Sequence, residues 1–218
     1  MTKLTPARFI AFEGGEGTGK STQARLLSRE LEARGATVET TREPGGTAGA
    51  EAIRTLLLDP PGEGWGARSE ALLFAAARAD HVERLIRPAL AAGHWVVCDR
   101  FVDSSRAYQG GAGGLGDAAI TALHGFGSEG LRPDLTILIE VDEARIAERL
   151  SARDGDDSDA IGGRSADYHR KVAEAFKVLA KADPDGFALV DGNGSPEEVH
   201  RRVLATLEPL LPAEHKAP

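Results

Sequence analysis

Cysteine is almost missing from this chain. Cys98 is the single one among 218 residues, so no intrachain disulfide can form. A lone thiol fits a reducing cytosol. Basic residues are the scarcer charge, 26 Lys and Arg against 34 Asp and Glu, for a net charge of −8. Binding to a phosphate backbone wants a basic face, so the balance argues against a general nucleic-acid coat and leaves room for a local basic pocket. Long apolar runs are lacking too. The run Phe9 to Phe12 ends at Glu13, too short for the core of a signal peptide. No stretch approaches the ~18–20 apolar residues of a membrane span, so no membrane partner is expected. The six histidines (His81, His94, His124, His169, His200 and His215) show no HExxH or Cys/His spacing, which argues against a dedicated zinc site. Asn193 is the one asparagine and Gly194 follows it, so the Asn-Lys-x-Asp guanine reader of a switch GTPase is absent. The Leu-Ser-Gly-Gly signature of an ABC-type ATPase is absent as well.

What is present has the balance of a soluble globular protein, 41% hydrophobic and 28% charged. A chain of this length buries roughly 70% of its unfolded surface and needs no staple, and residues 1–218 are expected to form a single domain. Short apolar runs alternate with amphipathic stretches. Strands are expected at 9–12, 37–41, 95–98, 135–139 and 187–190. Helices are expected at 21–34, 50–58, 69–92, 104–109, 118–124, 144–152, 166–182 and 196–211, with Pro88 kinking the third of these. The glycines of 110–116 read as a loop, and the polar stretch 154–163 reads as a mobile segment. Cys98 is expected to be a packed strand residue, Arg106 a solvated or structural charge, and His81 and His94 surface or capping residues. Near-continuous apolar strands between helices argue for a parallel sheet covered on both faces, with ligands at the carboxyl ends of its strands.

One motif carries chemistry directly. Gly14, Gly15, Glu16, Gly17, Thr18, Gly19, Lys20 and Ser21 match the eight-residue phosphate-loop pattern, after a strand and before a helix. Glycines let successive N–H groups turn inward around a phosphate, and the helix N-terminus adds partial positive charge. Lys20 can reach the β- and γ-phosphates, the Ser21 hydroxyl can ligate Mg²⁺, and Thr22 stands beside it. ATP or GTP binding follows, and with it a P-loop NTPase-type α/β fold: a five-stranded parallel sheet with helices on both faces. With no guanine reader and little room for a motor domain, a small phosphotransferase is the best remaining class.

Further clusters lie at strand ends: Thr41 to Thr47, Phe74 with Arg78 one helical turn on, and Asp99 to Gly110. Here the sequence resembles bacterial thymidylate kinases. The segments EGGEGTGKSTQ, TREPGGT, LLFAAARADH and DRFVDSSRAYQGG are similar to that family's motifs, in order and at similar spacing, and VDGNGSPEEV is similar to its C-terminal strand, loop and helix. The resemblance spans Phe9 to about Leu211. It implies transfer of a phosphoryl group from ATP to dTMP, giving ADP and dTDP, with Mg²⁺. It implies that Phe74 stacks on thymine, that Arg78 bonds the base edge and that Arg100 holds the acceptor phosphate. Ser104 and Ser105 would face the base, and Tyr108 would pack against the sugar's 2′ carbon. Glu43, Pro44 and Gln109 join the acceptor side, and Asp99 and Glu16 would position Mg²⁺ or waters. Lys20, Arg42 and Arg100 would supply the positive charge that two phosphates demand. A homodimer in the cytoplasm is implied as well.

The family carries an arginine either in the phosphate loop or in a lid. This loop has Glu16-Gly17, which is similar to the lid pattern. A lid at about 150–166 is therefore expected, with Arg149, Arg153 and Arg164 as candidates. Relatives show Asp-Arg-x-Glu where this chain has Asp159-Ala160-Ile161-Gly162, and Arg164 follows four residues after Ala160. Arg153 is favoured, with Arg164 as its partner or substitute; the alternative is that both balance the aspartates of 154–159. Two other readings stay open: a kinase for another nucleotide base, and a nucleotide-binding regulator without turnover.

Overall fold

The structure is a computed structural model that describes residues 7–142, 144–146, 149 and 160–212. Among these residues, five strands form one parallel sheet: β1 (Phe9–Glu13), β2 (Val38–Arg42), β3 (Trp95–Asp99), β4 (Leu135–Glu140) and β5 (Phe187–Asp191). Their order is β2-β3-β1-β4-β5. Strand β1 lies in the middle, with Phe9 opposite Val96 of β3 and Ile10 opposite Leu135 of β4. The chain passes from β1 to the edge strand β2, returns through β3 to fill the place between them, then crosses to lay β4 and β5 on the other side of β1, so a crevice opens where the strand order reverses.

Alternation along each strand explains the two layers. Ile10, Phe12, Val97, Ile137 and Ile139 face one way. They pack against α1 (Lys20–Ala33) through Ala24, Leu27 and Leu31, and against α8 (Pro196–Leu207) through Val199, Val203 and Leu207. Phe9, Ala11, Val96 and Cys98 face the other way, toward Val82, Ile86 and Ala89. Leu138 and Phe187 pack on Val172 and Phe176 of α7 (Ala166–Ala182). Burying such side chains on both faces is worth roughly 1.5–3 kcal/mol apiece against exposure, which explains why these strands read as apolar runs. Cys98 is buried in β3, as expected.

The remaining helices are α2 (Ala48–Leu58), α3 (Ala67–His81), α4 (Arg87–Ala91), α5 (Val102–Ser105) and α6 (Asp117–Ser128). Two helices widen into π-helical turns. Val82–Ile86 joins α3 to α4, and Arg106–Ala112 continues α5. Both correct the sequence reading. Pro88 lacks an N–H and its ring crowds the carbonyl one turn back. The helix meets this with the wide turn at 82–86, and the chain continues through it into α4. Residues 110–112, expected in a loop, are helical because Gly111 lets the segment lie against α7: a Cβ there would come within 2.7 Å of the Ala175 Cβ. Among the described residues no helix is long and apolar enough to cross a membrane.

Candidate active site

The phosphate loop starts where β1 ends. Gly14, Gly17 and Gly19 all take positive φ, and a Cβ on Gly14 would meet the Ile139 carbonyl oxygen at 2.6 Å. No other residue type fits there without shifting backbone. Gly19 holds the left-handed N-cap position of α1 and has no side chain to cap it, so the helix end presents N–H groups to a ligand. The Lys20 Nζ folds back over the loop and donates to the Gly15 carbonyl. Burial and the nearby Arg100 guanidinium lower its pKa to about 8. The Ser21 hydroxyl donates to Asp99 Oδ2, while Asp99 Oδ1 is buried with no hydrogen-bond partner.

Arg100 follows β3 in a left-handed conformation, φ 71°, which costs a non-glycine residue of order 1–3 kcal/mol. The conformation is held by its own N–H, which donates to the Phe12 carbonyl at 2.9 Å. The guanidinium reaches across the crevice to Glu16 Oε1 at 2.6 Å, Ser104 Oγ at 3.0 Å, the Gly14 carbonyl at 3.2 Å and Tyr108 Oη at 3.3 Å. Beneath it lies Glu13, fully buried, which accepts from the N–H groups of Phe101 and Ser104 and from Ser104 Oγ. Burial, helped by the Asp103 carboxylate, raises the Glu13 pKa to about 7. Burial disfavours the Arg100 charge, but Tyr108, Glu16, Asp99 and Glu13 outweigh it and hold the guanidinium above its ordinary range.

On the other side of the crevice, Arg78 of α3 is buried. Its Nε donates to Glu43 Oε2 at 2.7 Å, and its Nη2 to Ser105 Oγ at 2.9 Å and the Phe101 carbonyl at 3.2 Å. Phe74 stands one turn earlier on the same helix, half-buried. The Glu43-Pro44 peptide is cis, and the Pro44 carbonyl accepts from Arg54 Nη1 at 2.7 Å. Gln109 donates to Glu70 Oε1 at 2.9 Å.

These groups line one cleft of about 600 Å³. Of the residues singled out from sequence, Glu16, Gly17, Gly19, Lys20, Ser21 and Thr22 form its phosphate-loop side. Glu43, Pro44, Phe74, Arg78, Ser105, Tyr108 and Gln109 form the opposite side, with Arg42, Asp99, Arg100 and Ser104 on the wall as well. Gly14, Gly15 and Thr18 stand behind the wall. Arg153 lies outside the described residues. Arg164 does not reach the cleft: it pairs with Glu70, donates to Tyr168 Oη and stacks over that ring at 4.6 Å. Arg149 lines the cleft instead, with Nη1 3.3 Å from the Gly17 carbonyl and Nη2 3.1 Å from the Gly192 carbonyl.

Sequence reasoning missed several of these groups. Glu13 is a carboxylate at the end of an apolar strand, and that position was the available signal. Arg54 sits one turn before Leu58 on α2, and both line the cleft. His81, expected on the surface or at a cap, has none of its surface exposed. Its ring bonds Glu43 and Thr41 because α3 lays it against β2. Arg106 is structural, clamped between Asp103 and Asp117. Among the described residues no cluster of three or more His, Cys, Asp or Glu is arranged for a metal ion. Ser21 and Asp99, bonded to each other at the cleft wall, are residues that could hold one.

The family model for thymidylate kinase matches residues 12–203. A thymidylate kinase of Rhizorhabdus wittichii is 54% identical over 95% of this chain and all of its own length. One from Symbiobacterium thermophilum is 47% identical over 94% of each chain. Among solved structures, thymidylate kinase from Ehrlichia chaffeensis superposes with a TM-score of 0.74 at 32% identity, over 93% of this chain and 99% of that one.

Proposed function

The chain belongs to the thymidylate kinase family, and on that premise we propose how its cleft divides two nucleotides between its sides. The reaction is transfer of the γ-phosphoryl group of ATP to dTMP, giving ADP and dTDP. A phosphate oxygen of dTMP attacks Pγ, the bond from Pγ to the bridging oxygen of ADP breaks, and the transferred group carries its charge between two anions. Such a reaction is limited by positioning and by charge rather than by proton removal.

ATP lies on the phosphate-loop side. The N–H groups of residues 14–21 and the start of α1 face its phosphates, and Lys20 swings from the Gly15 carbonyl onto the β- and γ-phosphates. Arg149, placed between the loop carbonyls and Gly192, closes over the donor and takes the role that sequence reasoning gave to Arg153. dTMP lies opposite, with Phe74 on the ring face, Arg78 and Ser105 at the base edge, Gln109 beside them and Tyr108 against the sugar. Glu43 and Pro44 shape the loop above it. Arg100 stands between the two phosphates, held by Glu16. A bound Mg²⁺ would be held by Ser21 and Asp99, and would supply positive charge that offsets the charge of the donor phosphates. The unsatisfied, buried Oδ1 of Asp99 supports this fit.

We read the chain as one kinase domain; of the lid expected at about 150–166, residues 150–159 lie outside the described residues. The described residues that follow are held in place: Ala160 N–H donates to the Leu58 carbonyl at 3.3 Å, and Ile161 packs with Val172 and Phe176. We place the protein in the cytoplasm, as a homodimer joined through the face where α2, α3 and α6 expose Leu56, Leu72 and Phe126.

The single observation that carries the assignment of residues is the Arg100 guanidinium, bonded at once to the phosphate-loop residue Glu16 and to the acceptor-side Ser104 and Tyr108. The test is a panel of dTMP, dUMP, dCMP, dGMP and the ribose form of TMP with Mg-ATP, read as ADP release. Release that depends on dTMP and falls roughly 5- to 150-fold for the ribose form is expected, since a buried hydroxyl against Tyr108 goes unsatisfied. Equal rates with ribose and deoxyribose would remove Tyr108 from its role.

A further inference from the structure

A chain of hydrogen bonds, part-buried at Thr41 and buried beyond it, runs from the edge of the sheet to the acceptor side of the cleft, and no step of the phosphoryl transfer uses its far end. Thr41 of β2 bonds His81 Nε2 at 2.8 Å. His81 Nδ1 lies 3.0 Å from Glu43 Oε1, and Glu43 Oε2 accepts from Arg78 Nε at 2.7 Å. Glu43, Arg78 and His81 are each at most 5% exposed. We propose that His81 is a positioning residue for dTMP, which fixes the Arg78 guanidinium by holding the carboxylate of Glu43.

The direction of each bond follows from chemistry. A carboxylate paired with a guanidinium accepts, so His81 Nδ1 is the donor to Oε1. In the neutral ring Nε2 then accepts, and the Thr41 hydroxyl donates to it. Thr41 thereby selects the tautomer that puts the proton on the Glu43 side. With Oε1 held by His81, Oε2 is aligned on Arg78 Nε. Ser105 Oγ and the Phe101 carbonyl hold Nη2 from the opposite direction. Among the described residues Nη1 takes no partner, and Arg78 lines the cleft. The guanidinium is thus gripped on two nitrogens and offers the third to a ligand.

A second observation, in the loop after Pro44, points the same way. Gly46 has φ 90°, and a Cβ on it would come within 2.5 Å of Thr41 Oγ1 and 2.6 Å of His81 Nε2. The loop backbone lies directly against the Thr41–His81 bond and lowers its access to water, which strengthens the bond. If His81 served packing alone, an apolar ring would fill the space and leave nothing for Glu43 Oε1.

This inference rests on the reading that Arg78 meets the thymine edge, so the test separates the two. Initial rates are measured with dTMP and ATP varied in turn for His81→Asn, His81→Gln, Thr41→Val and Arg78→Ala. The amide nitrogen of asparagine can take the place of Nδ1 and that of glutamine the place of Nε2. His81→Gln is expected to raise the KM for dTMP roughly tenfold, the effect of an unsatisfied buried acceptor. His81→Asn is expected to restore most of that loss. The KM for ATP and kcat stay within about twofold in both, since neither change touches the phosphate loop. An unchanged dTMP KM in His81→Gln, equal values for Asn and Gln, or a parallel loss for both substrates would each overturn the proposal. Should neither His81 variant fold, Thr41→Val decides it: a dTMP-specific rise of about threefold supports the relay and no rise overturns it. Arg78→Ala is expected to raise the dTMP KM at least as far as His81→Gln. No rise there sinks the reading of the acceptor side itself, whereas a rise there without one in His81→Gln sinks only the role of His81.

Discussion

Lys20 carries its charge at a cost. Burial and Arg100 bring its pKa down to about 8 from an ordinary 10.5. ATP needs the protonated form, so kcat/KM for ATP is expected to fall as pH rises through about 8, and a flat profile to pH 9.5 would contradict the assignment. Stability runs the opposite way over that window. Between about pH 8 and 10.5 the unfolded chain holds a proton that the folded chain has released, so the penalty this group imposes on folding below pH 8, roughly 3 kcal/mol, is relieved as pH rises. Arg149→Ala is expected to lower kcat/KM for ATP by about 10- to 150-fold while leaving the dTMP KM within about twofold, the loss of a charged contact to one substrate. A loss confined to dTMP would move the cation to the other side of the cleft. Single residues were legible from sequence where their partners are neighbours along the chain. Gly14 to Ser21 needed only a local pattern. Glu43, Arg78 and His81 meet across separations of 35 and 38 residues, so His81 read as a surface residue, and Arg149 could not be told from Arg153 by composition.

At the scale of elements, the apolar runs gave the five strands to within a residue or two, because strands buried on both faces leave no polar alternation to misread. Helix α7 was expected over the residues it occupies, 166–182. Its Ser165 cap, with the side chain accepting from the Tyr168 N–H, marks the start. The π-helical stretch 106–112 was hidden because glycine usually ends a helix, and here Gly110 and Gly111 are kept for closeness to a neighbour. Gly111→Val is expected to push the Ala175 Cβ away and destabilise the fold by about 1–3 kcal/mol, lowering Tm by roughly 2–12 °C. An unchanged melting curve would mean that the two helices have room to spare. The same contact brings Tyr168 Oη to the Tyr108 carbonyl at 2.9 Å, so the variant is also expected to weaken dTMP binding by about threefold, read by titration calorimetry.

At the scale of the whole molecule, the net charge of −8 says little about the cleft. Lys20, Arg25, Arg42, Arg54, Arg78, Arg100 and Arg149 all line it, a concentration of positive charge that the sum over the chain conceals. The homodimer face proposed above is tested by Phe126→Asp, a side chain 92% exposed in the single chain. Sedimentation is expected to show a dimer for the parent chain and a shift toward monomer for the variant; an unaltered dimer would place the contact elsewhere. The strand order has a kinetic consequence. Because β1 stands between β3 and β4, the proposed donor and acceptor sides of the one cleft draw on loops from separate halves of the sheet. On that proposal each nucleotide meets its own set of loops. The expected outcome is turnover with no fixed sequence of entry and exit and no phosphate parked on the protein, read from initial rates with both nucleotides varied; parallel lines in double-reciprocal plots would contradict it.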